Sequence, residues 1–291
     1  MGNSSWSTVD WDTHATTAKS MSRDQIFTKN GIQDSLNPAK FKYREARDSD
    51  ANPNSTPIIL ASDVTGSMGI VAEQIIKEHL GKVMKYLYDH KPVSDPSICC
   101  MAIGDAYTDT APIQATQFES DIRLVEQMKD FFIEGCGGGN GGESYSLAWA
   151  FALGKVKADI HKKRHKKGYI FTIGDECCLP ILKKDHLKKY LDLNAEVDMQ
   201  SKILLKDVQK DWEVFHLIIN PVDYQPVKDD WKEMLGERAI VLPDLSQLSE
   251  GIAAIISALE GMSASDISST YKGSKALVTT VVQDLIPLSK S

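Results

Sequence analysis

The hydrophobic positions of the chain change character near residue 57. Before it, residues 1–56 are polar and weakly periodic, with turn formers at Asn30-Gly31, Asn37-Pro38 and Asn52-Pro53-Asn54. That pattern predicts an extended or loosely structured arm. Trp6, Trp11, Ile26, Phe27, Phe41 and Tyr43 are the side chains that would pin it to the remainder, since disordered tails usually carry fewer aromatics. From Pro57 onward, short apolar runs alternate with amphipathic stretches. Runs at 57–61, 97–104, 169–173 and 214–219 have the length and continuity of buried strands, and 113–118 and 239–242 add shorter ones. Between the first two runs, Val71, Ile75, Ile76, Leu80, Val83, Met84 and Leu87 recur at steps of three and four, which predicts a helix over 70–89. Shorter helices fit 122–132 and 231–235, helical material fills 180–210, and an amphipathic helix over 246–261 ends at a glycine. Leu147, Trp149, Phe151 and Leu153 make the stretch 144–156 apolar nearly all round, hence a buried helix.

Strands alternating with helices imply right-handed crossovers and an α/β fold: a Rossmann-like, doubly wound, mostly parallel sheet with helices on both faces. The expected organisation is an arm at 1–56, one domain at 57–262 and an appended tail at 263–291. Sheets of this kind collect ligands beyond the carboxyl ends of their strands, where the strand order reverses. Two segments put polar oxygen at such ends. Asp63, Thr65 and Ser67 follow the first strand at two-residue spacing, with Gly66 to let the backbone bend; Asp175 follows the strand at 169–173. Carboxylates and hydroxyls form a hard, all-oxygen environment that suits Mg²⁺ or Mn²⁺ and not zinc.

Composition narrows the picture. A net charge of −7 speaks against general nucleic-acid binding. No segment approaches the roughly 20 apolar residues of a membrane span, and no export signal is recognisable in the first residues. The five cysteines, Cys99-Cys100, Cys136 and Cys177-Cys178, have no metal-type spacing and read as free, mostly buried thiols, so a reducing cytoplasm is the expected setting. The basic run at 155–167 reads as a solvated helix end whose cations offset the helix dipole. Asp105 and Asp109 read as solvated turn formers, and none of the seven histidines is expected near the oxygen-rich loops.

Asp63-x-Thr65-x-Ser67 resembles the signature of von Willebrand factor A-type (VWA) domains, and the order of elements over about 57–261 is similar as well. The resemblance implies a metal-ion-dependent adhesion site: the two hydroxyls on the metal, Asp63 and Asp175 acting directly or through water, and an open position for a partner's carboxylate. The middle loop of the family commonly offers a threonine, where this chain has Gly139 within Cys136-Gly137-Gly138-Gly139-Asn140-Gly141-Gly142-Glu143. Asn140, Glu143 or a water then supplies the missing oxygen. Residues 44–68 further resemble VWA proteins of bacteriophages and their bacterial hosts. VWA proteins of microbes often work beside AAA-type ATPases or within multiprotein assemblies.

The expected function is therefore a divalent-cation-dependent protein-binding module and not an enzyme, with a structural or assembly protein bearing a degenerate site as the alternative. A Mg²⁺-dependent phosphatase of the haloacid dehalogenase type would need a second acid two residues after Asp63, where Thr65 stands. A flavodoxin-like phosphate loop would place Asp63 against the phosphate it must hold.

Overall fold

The computed structural model describes residues 6–135, 141–219, 225–242, 244–272 and 278, and of Ser67 only the backbone. Six strands form the central sheet: β1 Ser55–Asp63, β2 Asp95–Ile103, β3 Ile113–Ala115, β4 Gly168–Gly174, β5 Trp212–Ile219 and β6 Ala239–Leu242. Their order is β6-β5-β4-β1-β2-β3, with all neighbours parallel except the edge strand β3. The order reverses at β1, so the crevice between the carboxyl ends of β1 and β4 is the switch point of a doubly wound sheet. The fold is thus the α/β architecture expected from the sequence, matching a VWA- or Rossmann-like fold.

Alternation along each strand divides the core in two. Ile58, Leu60, Cys100, Ala102, Tyr169, Phe171, Phe215 and Leu217 face one layer. Ile59, Ala61, Cys99, Met101, Ile170 and Val214 face the other. Both sets are buried, as a parallel sheet covered on two sides requires. The first layer holds one continuous helix over 69–90, made of Gly69–Gln74, a π turn at Ile75–His79 and Leu80–His90, together with the helix Leu248–Leu259. The second holds the helices Ser146–Lys155, Lys184–Leu191, Ser201–Val208 and Gln225–Leu235. Of the helix expected to be buried all round, Leu153 is the exception and reaches solvent.

The arm departs from the sequence expectation. Thr8–Lys19 is helical, with Ser7 as its N-cap, and Trp11, Ile26, Phe27 and Leu36 are buried in the first core layer. Trp11 lies across Gly81, where an added Cβ would stand 3.2 Å from the ring. Further on, Arg44–Ala46 pairs in parallel with Val156–Ala158, and the Ala115 amide of edge strand β3 donates to the Leu36 carbonyl. At the other end of the chain, the helix Ala264–Thr270 docks through Ile267 and Tyr271.

The basic run is also not a freely solvated face. Lys163 pairs with Asp48 and Asp159, Arg164 with Asp48, Lys166 with Glu260 and Lys167 with Glu213, and Lys155 is buried against the Phe41 carbonyl. Its cations tie the arm, the end of the helix Leu248–Leu259 and strand β5 to the segment that leads into β4. Among the described residues, no helix is long and apolar enough to cross a membrane.

Candidate functional site

Asp63 is the last residue of β1 and is fully buried. A carboxylate in that position has to find donors, because burial without them costs several kcal/mol, of the order of 2–7 for a polar group and more for a charge. Two come from its own turn: the Thr65 amide and hydroxyl both lie 2.8 Å from Asp63 Oδ1. The third is the Tyr145 hydroxyl, 3.2 Å from Oδ2. The turn is held to the sheet by the Val64 amide donating to the Ile103 carbonyl, and Gly66 takes a positive φ of 44° before the 3₁₀ turn Gly66–Met68. That bend is what the glycine between Thr65 and Ser67 was expected to provide.

Glu143 arrives from a different part of the chain. Its amide donates to the Cys177 carbonyl, its carbonyl accepts from the Leu179 amide, and the next amide, of Ser144, donates to the Gly104 carbonyl. The segment is thereby clamped between the exits of β2 and β4. Gly142 permits this, since a Cβ there would stand 2.8 Å from the Cys177 carbonyl oxygen. Glu143 is 4% exposed; its Oε1 lies 3.1 Å from Thr65 Oγ1, and its Oε2 has no hydrogen-bond partner among the described residues.

Asp175 follows Gly174, the residue alongside Asp63 across the β1–β4 pair. A Cβ on Gly174 would stand 3.1 Å from that of Asp63 and 1.8 Å from the Tyr145 hydroxyl oxygen. Asp175 itself is half-buried and near enough for its charge to act on Asp63 and Tyr145. The structure therefore brings together Asp63, Thr65 and Asp175. Ser67 follows in the same turn, but its side chain lies outside the described residues, as do Asn140, Gly139 and Cys136.

The electrostatics follow from crowding acids where water is scarce. Burial pushes the Asp63 carboxyl up to about 7, against the hydrogen bonds from Thr65 and with the help of the Asp175 charge. Burial and then the Asp63 charge push Glu143 up to about 9. The Tyr145 phenol is driven well above its ordinary value by burial and by the same carboxylates. No described ion pair involves Asp63 or Glu143. Thr65 has one hydroxyl proton and two carboxyl oxygens within reach, so the cluster is satisfied only when a carboxyl holds a proton or a cation lies among the oxygens. Among the described residues, no group of three or more His, Cys, Asp or Glu side chains is arranged to hold a metal ion. A cation here would rest on no more than two carboxyls, with hydroxyls and water, a donor set that fits Mg²⁺ or Mn²⁺, which keep several waters.

Several supporting residues were not identified from the sequence. Tyr145, expected only as part of a buried helix, reaches the Asp63 carboxyl. Beneath it, His216 stacks on Trp231 at 3.5 Å between ring centroids and meets the Tyr145 ring edge at 5.0 Å. This corrects the expectation that no histidine lies near the oxygen-rich loops. Trp231 Nε1 also donates to the Glu176 carbonyl at 2.9 Å, fixing the loop that carries Asp175. Asp105 and Asp109 are turn formers as expected but buried, not solvated. Asp109 accepts from the Asp105 amide, Asp105 accepts from the Tyr107 amide, and the pair backs the site from the β2 side. Cys99, Cys100 and Cys178 are buried free thiols and Cys177 is a half-buried one.

A doubly wound, mostly parallel sheet with acids and hydroxyls gathered at its switch point defines a Rossmann-like α/β domain. Comparison with protein-family models finds no match, and neither does comparison with curated proteins. Among solved structures, the pilus adhesin SpaC from Lactobacillus rhamnosus GG is similar with a TM-score of 0.50 and 8% identity, over 72% of this chain and 31% of the adhesin. A von Willebrand factor type A protein from Catenulispora acidiphila is similar at a TM-score of 0.39 and 13% identity, over 70% of this chain and 42% of that one. The proximal thread matrix protein 1 of the mussel byssus is similar at 0.41 and 8% identity, over 75% of this chain and 49% of that one. The chain thus spans about a third of the adhesin's length, and what the two share is the fold.

Proposed function

We propose that this chain is a divalent-cation-dependent protein-binding module and not an enzyme. Asp63, Thr65, Ser67 and Asp175, with Asn140 from the middle loop, would hold one Mg²⁺ or Mn²⁺, and an acidic side chain of a partner protein would complete its coordination. Bound there, the cation supplies a positive point charge at the mouth of the crevice. The chain's own residues do the rest. Tyr145 and the Thr65 amide orient Asp63, and Trp231 steadies the loop of Asp175. The observation that carries this reading is the meeting of Asp63, Thr65 and Asp175 at the reversal of strand order. The pilus adhesin, by its name a binding protein, shares the fold and is consistent with it.

One observation supports a second reading, a structural or assembly protein with a degenerate site. When one carboxyl is protonated, Asp63, Thr65 and Glu143 Oε1 close a hydrogen-bonded chain without any cation. Titration calorimetry of the full chain with Mg²⁺ and with Mn²⁺ separates the two. Saturable binding that disappears in Asp63→Ala/Ser67→Ala supports the module. A flat titration of the wild-type chain gives the second reading. Capture of a partner that survives EDTA unchanged would also overturn the first.

A further inference from the structure

We infer that Glu143 is itself a ligand of the cation site, filling the role for which the middle loop has no threonine. The inference rests on the cation reading above and adds to it a specific donor. Four observations carry it. Glu143 Oε1 and Asp63 Oδ1 lie 3.1 Å and 2.8 Å from the same Thr65 hydroxyl oxygen, so oxygens from three side chains crowd one point. The second oxygen, Oε2, is buried without a partner among the described residues, in a residue only 4% exposed, and an unsatisfied buried carboxyl oxygen is uncommon and costly. The backbone of Glu143 is bonded on both sides to the loop after β4, which places the side chain by the sheet and not by a mobile linker. And no described cationic side chain pairs with it.

A structural role for Glu143 would be met as well or better by glutamine, which keeps the size and offers a donor to the Thr65 hydroxyl. A carboxylate in this place carries a desolvation cost that a cation offsets and an amide would not incur. With Asp63 and Glu143 both ionised, the two carboxylates beside the Thr65 hydroxyl match the charge of a divalent ion. Such a pair selects hard divalent cations and holds them more firmly than one acid and hydroxyls alone, because affinity at oxygen sites rises with the charge count of the ligands.

The test uses the full chain and the metal alone. Glu143→Gln and Glu143→Ala are titrated with Mn²⁺ by calorimetry and followed by the paramagnetic signal of free Mn²⁺, beside wild type and Asp63→Ala. Thermal melts with and without Mn²⁺ establish that each variant folds. The expected result is a folded Glu143→Gln whose Mn²⁺ affinity falls on the order of tenfold or more, with the Mn²⁺-induced rise in melting temperature reduced in parallel. A wild-type chain that binds Mn²⁺ beside a Glu143→Gln of equal affinity overturns this inference and leaves the cation reading intact. A wild-type chain that does not bind Mn²⁺ overturns both. If Glu143→Gln fails to fold in the absence of metal, the carboxylate is serving the apo fold and the inference is likewise overturned.

Discussion

A single hydroxyl proton sets the chemistry of the site. Thr65 stands between Asp63 and Glu143, and the three share too few protons to be satisfied when both acids are ionised. The consequence is a pH dependence with a definite sign. Both acids have folded-state values raised above their ordinary ones, Asp63 from 3.8 to about 7 and Glu143 from 4.5 to about 9. Folding therefore favours the protonated forms: the stabilisation is fully present below the ordinary carboxylate range and is lost as pH rises through about 7 and then about 9. In EDTA, the melting temperature should fall between pH 5 and pH 9, and Glu143→Gln should flatten the decline. A melting temperature rising over that interval would contradict the arrangement. Thr65→Val keeps the shape and removes the hydroxyl; urea denaturation should show a loss of about 1–3 kcal/mol, the cost of leaving buried acceptors unmet. Asp63 and Thr65 were legible in the sequence because their two-residue spacing after an apolar run is local. Glu143 stood only as one of three sources for a missing oxygen, and Tyr145 and His216 were not legible at all, because their places depend on contacts across 78, 82 and 44 residues of chain.

Between elements, the tightest constraint is the approach of β4 to the helix Ser146–Lys155 at Gly174. Here the absence of a side chain lets the Tyr145 hydroxyl reach Asp63. Gly174→Ala should displace Tyr145, destabilise the protein by about 1–3 kcal/mol as overpacked sites do, and weaken any cation binding. The double variant Gly174→Ala/Tyr145→Phe should recover part of the stability, because it removes the atom the new methyl would strike. Denaturant titration of the four chains measures that coupling, and strictly additive losses would show that the two residues do not meet. The six strands of the central sheet were readable from apolar runs, since strands buried on both faces, as all but β6 nearly are, need no partner to reveal them. The helix Thr8–Lys19 was not. It buries only Trp11 and Ala18 of its 12 residues, which leaves no apolar stripe to detect.

At the scale of the molecule, the arm completes the domain and is not merely attached to it. Trp11, Ile26, Phe27 and Leu36 enter the same core layer as the helix over 69–90. Asp48, Arg47 and Asp159 join the arm to the cations of the former basic run. Leu36 covers the amide of Ala115 on the edge strand β3, which shields an edge that would otherwise be open to pairing with other chains. The arm also reaches the start of the helix over 69–90, where the Arg23 guanidinium lies against Gly69. A boundary at residue 57, drawn where the periodicity begins, would cut through all of these contacts. Trp11→Ala alone should cost about 3–5 kcal/mol. A chain shortened to residues 57–262 loses that contact together with Ile26, Phe27, Leu36, Ile267 and Tyr271. At roughly 2–4 °C per kcal/mol for a domain of this size, its melting temperature should drop by more than about 10 °C, and the exposed core face should make it associate in size-exclusion chromatography. A monomeric fragment melting cooperatively within a few degrees of the full chain would show instead that the arm is dispensable, and that the core closes without it.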